Sequence, residues 1–317
     1  WYKNKSEDLL YSVPVPAQTG VSNTSVTMNA ASMENSGFEF SATYRNRDHA
    51  FKYDISANVS TLKNKVTSLG IGKDSYISGA YATYVGQEIG KFYGWVYKGI
   101  ARTQEDLDNN AVQQGANVGD CLYEDISGPD GTPDGVIDAY DQTVLGSGLP
   151  KVNFGLSTHM EYKGFDLNIS TYGVLNYHVS DDIYNSLNSC YGYGNKEVGM
   201  LDANRWSEDG TYLSSVPRTY AANNATLAWN DLFSSRKIQN AAYWKIANVE
   251  LGYNFPDKWF GGYVSGVRLY VSAQNLYTFT GYHGYNVDYA GGTFTPGYNF
   301  CSFPSARTFM CGLHFTF

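Results

Sequence analysis

Arg307-Thr-Phe-Met-Cys-Gly-Leu-His-Phe-Thr-Phe317 is the stretch whose reading decides the fold. Taken in twos, Phe309, Cys311, Leu313, Phe315 and Phe317 fall on one face, and Thr308, Met310, Gly312, His314 and Thr316 on the other. A period of two is that of a β-strand, because successive Cβ atoms point to opposite sides of the pleat. One side is apolar, and the other is smaller and more polar.

The pattern recurs upstream. Val267, Leu269, Val271 and Ala273 alternate with Arg268, Tyr270, Ser272 and Gln274. Tyr243, Ala247, Val249, Leu251 and Tyr253 alternate with Trp244, Ile246, Asn248 and Glu250, although Lys245 falls on the apolar face. Val152 to Tyr162 and Phe165 to Thr171 form two alternating runs joined by the two-residue turn Lys163-Gly164. Phe38 to Tyr44 and Phe51 to Val59 form another such pair around Arg47-Asp48-His49. Residues 1–11 make a poorer strand.

This predicts eight strands of about ten to thirteen residues, long enough to cross a bilayer when tilted. Short links fall near 48, 163 and 260, and long ones at 12–36, 64–150, 178–242 and 278–306. Outer-membrane barrels have short periplasmic turns and long extracellular loops. Counting back from a periplasmic carboxyl terminus puts every long segment outside, a parity that a soluble sandwich has no reason to keep. The expected class is all-β: a transmembrane antiparallel β-barrel in the outer membrane, its apolar face against lipid.

Composition agrees. No run of about 18 apolar residues provides a membrane helix. The net charge of −8 argues against a nucleic-acid partner. Tyrosines number 28 against 22 Lys+Arg, an excess that suits aromatic girdles or carbohydrate-binding surfaces. Cys121, Cys190, Cys301 and Cys311 lack metal-ligand spacing. Cys311 reads as a small buried hydrophobe, and Cys190 and Cys301 could pair if both lie in outer loops. The start at Trp1-Tyr2-Lys3-Asn4, without Met or signal peptide, leads us to expect a fragment of something longer.

Val85-Gly-Gln-Glu-Ile-Gly-Lys-Phe-Tyr-Gly-Trp-Val-Tyr-Lys-Gly-Ile100 resembles a "GxPxGxFYGY…GIF" segment of the SusC/RagA-type TonB-dependent transporters. Gly119-Asp120, Asp125-Ile-Ser-Gly128, Asp134-Gly-Val-Ile-Asp138, Asp141 and Leu145 to Pro150 resemble that family's "GD…D.NGDG.ID..D…G.P.P…G" stretch. Asn35 to Glu39, Arg205-Trp206 and Val271 to Leu276 are similar to further pieces, so the likeness covers essentially the whole chain. The resemblance implies that residues 1–317 are the carboxyl-terminal part of a plugged barrel of about twenty-two strands, with the plug domain absent. It also implies active import of an oligosaccharide or peptide, a SusD-like surface lipoprotein over the mouth, and TonB acting through the missing amino-terminal part. The rival reading is a complete small outer-membrane barrel serving as an adhesin or structural protein.

For catalysis the residues offer little. The five histidines are scattered, no Ser or Cys stands in a nucleophile motif, and Asp181-Asp182 point apart if they lie on a strand. No enzyme is expected. The acidic stretch invites a cation: Asp125, Ser127, Asp130, Asp134, Asp138 and Asp141 give an EF-hand-like spacing with Pro129 to Thr132 inserted. Calcium takes six to eight oxygens from such loops, and the ion would be structural; the alternative is a solvated acidic turn. For substrate, the loop aromatics Trp206, Tyr191, Tyr193, Tyr282, Tyr285 and Tyr289 are candidates, since aromatic faces stack on sugars and peptides. The alternative is that they pack loops together.

Overall fold

In a computed structural model, the described residues are 1–14, 25–70, 72, 74–189, 195–198, 216–219, 229–260, 264–288, 291–300 and 302–317. The wall is built from β1 (Tyr2–Pro14), β2 (Ser25–Gly37), β3 (Glu39–Asn46), β4 (Phe51–Thr61), β5 (Lys63–Ser68), β6 (Val152–Tyr162), β7 (Phe165–Leu175), β8 (Tyr243–Phe255), β9 (Gly266–Thr280) and β10 (Thr308–Thr316). β2 runs on into β3 through Phe38, and β4 into β5 through Leu62. One antiparallel ladder has the order β10-β9-β8-β7-β6-β4-β3, and β1-β2-β5 extends it. The Phe38 N–H donates to Thr61 Oγ1 and the Thr61 N–H to the Phe38 carbonyl, each at 2.9 Å, which ties the two parts. The result is an up-and-down meander in which neighbours in sequence are neighbours in space.

Register puts like with like. Phe165, Tyr253, Leu269 and Leu313 form one continuous row across β7 to β10, and Leu167, Leu251, Val271 and Cys311 the next. β6 and β7 have 11 residues each, which at a rise of ~3.3 Å and a tilt of ~45° cover about 25 Å of hydrocarbon. Val271 stays 52% exposed and Phe309 70%. A water-facing patch of this extent invites aggregation, whereas lipid accepts it. Two aromatic belts bound the face. Trp244 stacks on Phe279 at 5.4 Å at one end, and Phe165, Tyr253 and Phe255 pack at 4.7 and 5.0 Å at the other.

The opposite face is charged near the turns. Arg268 pairs with Asp166 and with Glu250 (2.7 Å), Asn254 donates to Asp166 (2.8 Å), and His159 bonds Asn168 (2.6 Å) and Glu161 (2.9 Å). The apolar rows and aromatic belts of the other face are the ones suited to lipid. The charged face is therefore the inner one. There Tyr270 lies across Gly312, where a Cβ would come within 2.5 Å of the ring.

Four expectations change. Residues 25–36, which fall in the loop expected at 12–36, belong to β2, a strand held by its backbone ladder to β1 and β5. Residues 64–68, which fall in the loop expected at 64–150, continue the wall within β5. At Ala247 the register slips, with Ser170 opposite Asn248 but Thr171 opposite Ile246. A β-bulge inserts one residue and so reverses parity. Beyond it Trp244 and Ile246 join the lipid face and Lys245 turns inward, which resolves its misplacement in the simple alternation. Cys311 is exposed, not buried, because its apolar face is the outer surface of the wall. Cys190 and Cys301 lie outside the described residues.

Candidate functional site

One end of the wall carries a layer of folded loops, and the glycine- and aromatic-rich motif at 85–100 forms much of its core. Phe92 is fully buried, packed on Tyr81 (5.5 Å) and Phe233 (6.2 Å). Gly94 passes so close to the Phe233 carbonyl that a Cβ would sit 2.1 Å from it. Trp95 donates its indole N–H to the Asp138 carbonyl (2.9 Å). Asp120 is buried, pairing with Arg218 (2.8 Å) and accepting from Asn230 (2.8 Å) and the Asn117 N–H (2.8 Å). These motif residues hold the loops together and leave little surface for a ligand.

Beneath the layer, on the inner face of the wall, lies a polar cleft. Lys245 of β8 is almost fully buried and pairs with Asp288 from the segment after β9. Tyr172 of β7 donates its hydroxyl to Asp288 (3.2 Å), and its ring stands 5.8 Å from the Lys245 ammonium. The Tyr243 ring meets Tyr172 edge-on at 6.1 Å. Asn286 accepts from the Asp288 N–H (2.9 Å) and donates to the Phe303 carbonyl (3.0 Å), so the segment is pinned from both sides. A cavity of about 320 Å³ opens here, lined among others by Lys245, Tyr285, Asn286, Asp288 and Arg307. A neighbouring depression of about 490 Å³ runs along the wall past Asn58, Asn153, Ser157, Ser170 and Tyr172. Aromatic faces, amides and hydroxyls of this kind orient polar ligands by stacking and hydrogen bonds.

Of the substrate candidates, Tyr285 lines the first cavity and is largely exposed. Tyr282 is buried, gives its hydroxyl to Asp181 and accepts from Asn299 (2.7 Å). Burial pushes its phenol pKa well up. It welds loops and offers no ring face to a ligand in this conformation. Trp206, Tyr191, Tyr193 and Tyr289 lie outside the described residues. Lys245, Asp288, Tyr172, Tyr243 and Arg307 were not anticipated. One signal was present: a lysine interrupting an apolar face.

The acidic stretch directs most of its carboxylates at its own backbone. Asp141 accepts from the N–H groups of Ile126 (2.8 Å), Ser127 (3.1 Å) and Asp138 (2.8 Å). Asp138 accepts from Tyr140 (2.7 Å), Asp125 from Gly135 (2.7 Å) and Asp134 from Val136 (3.0 Å). The Thr132 hydroxyl and N–H hold the Asp130 pKa below its usual value. Asp125 Oδ1 is buried without a partner. Among the described residues no three His, Cys, Asp or Glu side chains converge as a metal site.

No family model matches the chain. It is 31% identical along its whole length to "TonB-dependent receptor P3" of Formosa agariphila, covering 32% of that protein. It is 27% identical to "TonB-dependent receptor SusC" of Bacteroides thetaiotaomicron, again along the whole chain and over 29% of that protein. Among solved structures, the RagAB peptide transporter superposes with a TM-score of 0.77 at 22% identity, over 98% of this chain and 32% of that one. The chain thus spans about a third of the length of its relatives.

Proposed function

We infer, from a chain similar along its whole length to SusC-type TonB-dependent receptors and folded like part of a RagA-type barrel, that the whole protein is a TonB-dependent importer of the outer membrane. Its cargo would be an oligosaccharide or peptide too large for porins. The observation that carries the reading is the wall itself: apolar rows outside, charges and a polar cleft inside, and a folded loop layer over one end. The loops face the exterior, and a SusD-like lipoprotein covers them. Ligand is trapped between lid and cleft, and TonB, acting through a plug beyond these residues, opens the lumen. Tyr285, Asn286 and Arg307 line the approach, while Lys245 and Asp288 hold the cleft in shape. The chain acts by binding and passage.

The test is uptake by cells carrying the full-length gene. Growth on one glycan or peptide nutrient should disappear on gene deletion and return with the wild-type gene. It should not return in a strain lacking TonB. Growth that ignores both deletions overturns the reading in favour of an adhesin or structural barrel. A structural calcium ion in the acidic stretch remains part of the proposal, supported by the unpartnered Asp125 Oδ1.

A further inference from the structure

A second cavity, of about 240 Å³, lies within the loop layer between the short helix Asp182–Leu187 and the turn Ser235–Lys237. At ~30 Å³ per water it holds about eight waters, the room taken by one sugar or one amino-acid residue. Its lining includes Tyr97, Tyr184, Asn188, Asp231, Arg236 and Lys237. Lys237 Nζ donates to the Asp231 carbonyl, and Asp231 Oδ2 accepts from the Ser189 hydroxyl (2.9 Å). The Asn188 amide donates to the Tyr184 carbonyl (2.9 Å) and to Glu197 (3.0 Å). Tyr184 is stacked on His283 at 5.6 Å, which steadies its ring. Arg236 differs: it is half-buried, and among the described residues it has neither an ion pair nor a hydrogen bond.

An arginine that lines a cavity and meets no anion among the described residues is matched best by a planar carboxylate, which it grips with two parallel N–H donors. Asp231 in the same cavity repels further negative charge and accepts a hydrogen bond, so it favours a ligand with a hydroxyl or ammonium beside a single carboxylate. We propose that this cavity is a subsite for a monocarboxylate residue of the cargo, a uronic acid or the carboxyl-terminal residue of a peptide, with Arg236 as the carboxylate receptor. The source of the ligand rests on the import reading; the site itself does not.

The experiment uses the full-length protein in detergent, titrated calorimetrically with four probes: a diglucuronate, cellobiose, trialanine and trialanine amide. The acid of one pair should bind at least tenfold more tightly than its carboxylate-free counterpart, and which pair responds identifies the source. Arg236→Gln should abolish that preference and leave the carboxylate-free probe unchanged, while Arg236→Lys should keep part of it. Arg236 makes no ion pair or hydrogen bond among the described residues, so Arg236→Gln should retain the wild-type unfolding temperature, checked alongside. Equal binding of acid and carboxylate-free probes, an unchanged preference in Arg236→Gln, or no binding of any probe at 20 mM overturns the proposal. Because these are binding measurements, failure here leaves TonB-dependent uptake intact, and failure of uptake leaves the carboxylate preference measurable.

Discussion

Replacing Asp288 by Asn removes the anion facing Lys245 while keeping the size of the side chain and the Asn286 contact to its backbone. The Lys245 side chain is only 5% accessible, so its ammonium would be left buried and unpaired, whereas Asp288 is 24% accessible and water can follow the loop outward. Breaking a fully buried pair costs about 3–5 kcal/mol. Partial access of water lowers this to about 1–3 kcal/mol, a roughly 5- to 150-fold shift towards local opening. Hydrogen exchange on the full-length protein in lipid nanodiscs reads that shift at the amides of residues 284–288. Amides in the middle of β6 and β7 should not change. A second substitution, Lys245→Met, removes the orphaned charge, and exchange should return to within about threefold of wild type, since apolar replacements of buried pairs are often neutral. Exchange unchanged in Asp288→Asn, or not restored by Lys245→Met, would refute the view that this pair pins the segment over the cleft.

Three further outcomes are expected. Gly312→Val drives a side chain into the Tyr270 ring, which a Cβ alone would approach to 2.5 Å, and should destabilise the barrel by about 1–3 kcal/mol; adding Tyr270→Ala should recover part of this, read by the urea midpoint of folding into vesicles. His178 lies outside the wall, and burial holds its imidazole below the ordinary pKa of 6.5. The unfolded segment therefore binds the proton more readily, so stability is full above about 6.5 and declines as pH falls below it. Exchange at residues 178–181 should rise between pH 7.5 and pH 5 after correction for intrinsic rates, and His178→Gln should flatten the dependence. Calcium titrated calorimetrically should bind in the millimolar range or tighter and weaken at least tenfold in Asp125→Asn; absence of heat at 5 mM removes the ion from the account.

How far the sequence could be read depended on what side chains report. β10, β9, β6 and β7 alternate cleanly, and their register pairs Phe309 to Phe315 with Ala273 to Val267 as the alternation implies. β2 gave only a weak signal, because Ser25 to Gly37 mixes a few small or medium apolar residues with many Ser, Thr and Asn, and its strand rests on backbone bonds common to every sequence. The Ala247 bulge was invisible except through Lys245, since one inserted residue exchanges the two faces without altering composition. The cleft depends on contacts such as Lys245 with Asp288 and Tyr172 with Asp288, 43 and 116 residues apart in the chain, which no local pattern encodes. Tyr282 looked like a ligand platform for the same reason: its partners Asp181 and Asn299 come from two other loops.

The central claim is that residues on β9 alternate between lipid and a water-filled lumen. Single cysteines at 268 to 273 of the full-length protein, spin-labelled in bilayers, test it by comparing collision with oxygen and with a water-soluble nickel chelate. Positions 269, 271 and 273 should favour oxygen, and 268, 270 and 272 should be shielded from oxygen and reached more readily by the chelate. Equal accessibility at both sets, or the opposite phase, would contradict the barrel wall and every functional inference that rests on it.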